Sequence, residues 1–166
     1  MATLTVQEFS QRLKIAVRSG AIADGMVRAA NTLAFRMDAI AQRRVTGGGS
    51  STRSLNVRTG KLRQSIKPSV KRTKGGVRAT IQAGGSAGGA VVKYARIHET
   101  GLPNPIVPIN GKYLRFKGNK GWATVKSVSI PARPYLRPSR DSAARIAPAI
   151  MRKEIIKALR SVNLGT

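Results

Sequence analysis

The chain has 166 residues, with 31 basic against 6 acidic for a net charge of +25, 41% hydrophobic residues, 4% aromatic ones and no cysteine. That length suits one domain with a modest, aliphatic core, and the missing cysteine excludes a disulfide framework, a thiolate metal site and a Cys nucleophile. No apolar run nears the roughly 18 residues of a membrane span. The opening MATLTVQEFSQRL has neither the basic nor the apolar region of a secretion signal, so a cytoplasm is the expected compartment.

Thr3 or Thr5 is placed to cap a first helix, with Glu8 three residues after Thr5 as the second half of a capping box. Val6, Phe9, Leu13 and Val17 recur at helical spacing, and Gly20 stops the run. A second helix is predicted over 21–45, its stripe formed by Ile22, Met26, Ala29, Ala30, Leu33, Met37, Ile40 and Ala41. Such a helix covers one face of a sheet. TGGGSSTRS, from Thr46 to Ser54, reads as a flexible linker.

Beyond it the charge concentrates. Residues 51–140 carry 19 basic and 1 acidic side chain, net +18, against +4 for 1–50 and +3 for 141–166. A field of that sign attracts a polyanion: nucleic acid, anionic membrane or an acidic protein. Strands are predicted over 62–70 and 76–83, joined by a turn at 73–76. Val77, Ala79 and Ile81 lie on one face of the second, and Pro68 confines the first to an edge or a bulge.

GGSAGGA, from Gly84 to Ala90, lacks the ending of a phosphate-binding loop and reads as a mobile hairpin tip. Val91–Ile97 makes a third strand or a strand-to-helix corner. LPNPIVPIN crosses the surface without regular structure, and 112–116 with 122–130 form a bulged hairpin about the turn 117–121. Pro138, Ser139 and Asp141 open a C-terminal helix with a stripe of Ile146, Ile150, Ile155, Ile156 and Leu159, kinked at Pro148.

The class is therefore α+β: two N-terminal helices, an antiparallel four- to five-stranded sheet with long flexible loops, and one C-terminal helix. It is read as a single domain, 1–166. Its parts are a helical segment at 1–46, a linker at 47–54, a basic β region at 55–137 with loops at 84–90 and 102–112, and the last helix at 138–162.

Little in this inventory suits catalysis. The only histidine, His98, adjoins Glu99, and neighbours in sequence point apart on a strand or by about 100° on a helix. One histidine with scattered carboxylates is a poor metal set, so no catalytic residue, metal or cofactor is expected. No helix-turn-helix, zinc finger or basic zipper is present, and the aromatics form no stacking platform. The cations suit sequence-blind backbone contact instead. The candidates for facing DNA or another partner are Arg53, Arg58, Lys61, Arg63, Lys67, Lys71, Arg72, Lys74 and Arg78.

Three short motifs follow in order: RTGKLRQSI, YARIHETG and IPARPYLRPS. Over about residues 20–160 the chain resembles tailed-bacteriophage tail-completion proteins. Thr59, Gly60, Leu62, Ser65 and Ile66 match the first element of the neck group of long-tailed phages, and Tyr94, Ala95, Glu99 and Gly101 match its second. Ile97, His98 and Gly101, followed by Pro131, Ala132, Arg133, Pro134, Tyr135 and Leu136, match the virion morphogenesis group of contractile-tailed phages. Leu102 stands where the neck group commonly carries threonine, and the branch stays open.

The resemblance implies a non-enzymatic virion protein of the head–tail junction, assembled in the host cytoplasm as a homo-oligomeric, hexameric ring around the DNA channel. Its implied neighbours are head-closure or stopper proteins, tail-terminator or tail-tube proteins, and double-stranded DNA without sequence specificity; no membrane is involved. The motif residues are expected to serve structure or interface, with His98 a hydrogen-bonding residue and Tyr135 and Trp122 at interfaces. Two other classes compete: a sequence-indifferent nucleic-acid-binding protein acting off the virion, and a small basic RNase.

Overall fold

The computed structural model describes residues 6–47, 55, 60–85, 92, 94–118 and 121–162. The expected caps at Thr3 and Thr5, the linker over 48–54 and residues 86–90 of the tract 84–90 lie outside the described residues, as do Arg53, Arg58, Thr59 and Val91.

Helix α1 (Val6–Arg18) stops short of Gly20, whose φ of 76° places it as the N-cap of α2 (Ala21–Thr46). Only Ala16 of α1 is buried; Val6, Phe9, Leu13 and Val17, the expected apolar stripe, remain exposed. Helix α2 is the spine. It buries Gly25, Ala29, Ala30, Ala34, Met37, Ala41 and Val45, and its main partner is α5 (Leu136–Arg160). These are mostly small side chains, so the two helices approach closely. A Cβ added at Gly25 would lie 3.1 Å from the Glu154 carbonyl oxygen and 3.4 Å from the Ala158 Cβ. For α5 the expected stripe holds in part: Ile146, Ile150, Ile155 and Leu159 are half-buried and Ile156 is exposed, while the fully buried residues are Ser139, Ala143 and Ala158. Helix α5 runs on through Pro148.

Among the described residues the strands number four, in two antiparallel pairs: β1 (Lys67–Thr73) with β2 (Gly76–Gln82), and β3 (Leu114–Gly118) with β4 (Gly121–Val125). The α+β order of elements is as expected, but the pairs do not join into one sheet. In β1–β2 the register sets Pro68 opposite Ile81 and Val70 opposite Ala79. Val70, Ala79 and Ile81, with Leu33 of α2, pack on the buried cluster Ala34, Met37 and Ala143, so α2 covers the hairpin as its stripe predicts.

Three local expectations change. Residues 62–66 are not strand: Gly60, with φ 71°, starts a single helical turn α3 (Lys61–Gln64), which carries Leu62 into the core before β1 begins. YARIHETG resolves its corner as α4 (Ala95–Thr100), not as a strand. The second hairpin is regular rather than bulged, because Val128 leaves it to bridge Ile106 across the proline-rich segment.

Candidate functional site

The three motifs meet. Leu62 and Ile66 of the first, Ala95 of the second and Tyr135 of the third belong to one buried cluster with Ala41 and Val45 of α2, Leu55 and Val92. Tyr135 is 1% exposed, and its hydroxyl donates to the Ala95 carbonyl at 3.3 Å. Burial, and then the Glu99 carboxylate, push its phenol well above the usual range. The expectation of an interface tyrosine is thereby corrected: Tyr135 fills the interior, contributing about 1.5–3 kcal/mol by burial.

Glu99 ties α4 to α5. Its Oε2 accepts from the backbone N–H groups of Tyr135 and Leu136, both at 2.9 Å, and its Oε1 from that of Arg137 at 2.8 Å. A helix leaves its first N–H groups without intrahelical partners. Here Glu99 takes three of them, and the next residue, Pro138, has none to offer. The carboxylate also lies at the positive end of a 25-residue helix. The only acid in the +18 stretch thus serves as a cap supplied from 36 residues upstream.

His98 and Gly101 complete the knot. The Arg133 N–H donates to the His98 carbonyl at 2.8 Å, and the His98 ring meets Tyr94 edge-on with centroids 5.5 Å apart. Burial, then the Arg133 guanidinium, hold the imidazole pKa below its ordinary 6.5. Gly101 adopts φ 73° and is buried; a Cβ there would sit 2.8 Å from the Ala132 nitrogen. Leu102 then donates its N–H to the Ile130 carbonyl at 3.0 Å. Ser65 closes the first motif: it bonds the Leu62 carbonyl at 2.7 Å and accepts from the Gly84 N–H at 3.2 Å. Pro131 is exposed and Pro134 and Leu136 half-buried.

The basic candidates divide. On β1–β2 the register places Lys67, Lys71 and Arg78 with the Ser69–Thr80 hydroxyl pair on the face opposite α2. All three cations are exposed, and Lys74 is exposed at the turn. Arg72 turns to α2, where its Nη2 lies 2.6 Å from Asp24. Arg63 donates to the Gln42 side chain at 3.3 Å, and Lys61 is exposed on α3. Trp122 is 64% exposed, with the Arg115 guanidinium 4.9 Å from its ring centroid.

Among the described residues no three His, Cys, Asp or Glu side chains gather into a metal-holding group. Among them, too, no helix is long and apolar enough to cross a membrane.

The geometry therefore defines an α+β module in which three dispersed motifs meet in one buried core against the helical spine. The chain belongs to the phage virion morphogenesis family, whose sequence profile matches residues 6–154. Of the two branches that the motifs resemble, this is the one with the I-H-x-x-G and PARP elements. No curated protein and no solved structure matches the chain. Its role is in building the phage particle, and it is associated with the virion.

Proposed function

We propose that the protein is a non-enzymatic component of the head–tail junction, forming a ring, sixfold by family resemblance, around the channel through which genomic DNA passes. The observation that carries this reading is the Glu99 knot. The motif residues that mark the family are occupied with holding α4, α5 and the core together. His98 is drawn into that knot through its backbone carbonyl and its contact with Tyr94. A rigid module of this kind suits a joint.

The exposed cations of β1–β2 support contact with the duplex. A ring multiplies Lys67, Lys71, Lys74 and Arg78 by its copy number and gives many weak, sequence-blind phosphate contacts. DNA is held in this way without being fixed in register. The neighbours along the axis are a head-closure or stopper protein on one side and a tail-terminator or tail-tube protein on the other.

The test is reconstitution. Heads and tails from a phage lacking this protein are mixed with the purified chain and scored for infectious particles. The junction role predicts restored joining by the wild-type chain. It fails if heads and tails join equally well without the protein.

A further inference from the structure

We propose that the β3–β4 hairpin is an arm that grips another virion protein, one presenting an apolar surface rimmed by carboxylates. The inference rests on the virion reading above and adds the partner's chemistry.

The register gives the arm two unlike faces. Leu114 pairs with Val125 and Phe116 with Ala123 on one face; Arg115 pairs with Thr124 and Lys117 with Trp122 on the other. Among the described residues, no other helix or strand packs on this hairpin beyond scattered contacts, and neither buried cluster draws on it. A two-stranded hairpin alone is marginal in water. Yet this one displays Phe116 at 42% and Trp122 at 64% exposure, with Tyr113 at its base at 55%. Arg115 is already stacked at Trp122, which holds both side chains ready. Tryptophan, tyrosine and arginine are the types that dominate the energetics of protein interfaces.

Charge selects the occupant. No Asp or Glu occurs between Glu99 and Asp141, so Arg115, Lys117 and Lys126 have no local counter-charge in the sequence. A second copy, with 6 acidic side chains against 31 basic ones, offers the arm few carboxylates, whatever other surface its copies use to meet in a ring. Duplex DNA satisfies the cations but stacks its base faces inward, leaving Phe116 and Trp122 no apolar surface. An acidic protein with an apolar centre satisfies both.

The absence of cysteine makes a clean test possible. Thr124→Cys, labelled with a benzophenone photo-crosslinker, is mixed separately with purified heads, with purified tails and with a DNA duplex, the particles coming from the encoding phage grown without this chain. Adducts are identified by mass. The expected result is an adduct with one other virion protein, weakened by salt. Trp122→Ala and Arg115→Glu are each expected to lower that protein's affinity about tenfold to a hundredfold while leaving the melting temperature unchanged, since the arm lies outside the core. An adduct with a second copy or with DNA overturns the proposal. So does no adduct while heads and tails still join. If neither adduct nor joining occurs, the junction reading falls with it.

Discussion

Glu99 caps the last helix: its carboxylate accepts from the N–H groups of the N-cap residue Tyr135 and of Leu136 and Arg137, and sits at the positive pole of α5. Removing it strands those donors. Glu99→Ala is expected to cost about 2–4 kcal/mol, and Glu99→Gln, which keeps one carbonyl oxygen but no charge, about 1–2 kcal/mol. Urea unfolding of both variants measures the difference. Equal stability of all three proteins would show that the cap contributes nothing. His98 gives the pH dependence. Burial and Arg133 hold its folded pKa below 6.5, so the unfolded chain takes up the proton first as pH falls. The contribution of neutral His98 is therefore complete above about pH 6.5 and declines below it, until the folded pKa is reached. Melting temperatures between about pH 7.5 and 5.5 are expected to fall more for the wild type than for His98→Gln. Parallel curves would contradict the assignment.

At the scale of elements, α2 and α5 depend on small residues more than on large ones. Gly25 lies where any Cβ meets the Glu154 carbonyl oxygen at 3.1 Å. Gly25→Leu is accordingly expected to push the helices apart and destabilise the protein by about 1–3 kcal/mol, read as a lower midpoint in chemical unfolding. An unchanged midpoint would mean that the pair is loosely packed. The same closeness explains what the sequence left illegible. Periodicity placed α2 and the face of β2 correctly, because Ala29, Met37, Ala79 and Ile81 alternate as their elements require. On α5 it found a half-buried stripe and missed the closest contacts, because hydrophobic size favours Ile150 and Ile156 over Ala143 and Ala158, whereas close helix packing favours the reverse. The short helix α3 was hidden among strand-like residues, and its signal was Gly60, the left-handed residue that starts the turn. The Glu99 cap had no local signal at all, since its partners lie 36 to 38 residues away.

At the scale of the whole molecule the net charge of +25 sets two opposed salt dependences. Salt screens repulsion between copies and so favours a ring, but it weakens phosphate contacts and so releases DNA. The RNase and the free nucleic-acid binder share the second dependence and lack the first. The most direct measurement is therefore the mass of the purified chain in solution across a salt series, with DNA, without it, and with phage heads or tails added. The account predicts one discrete ring, either free and favoured by salt or formed only on the phage parts. A monomer at every salt concentration that coats DNA and ignores heads and tails would contradict it.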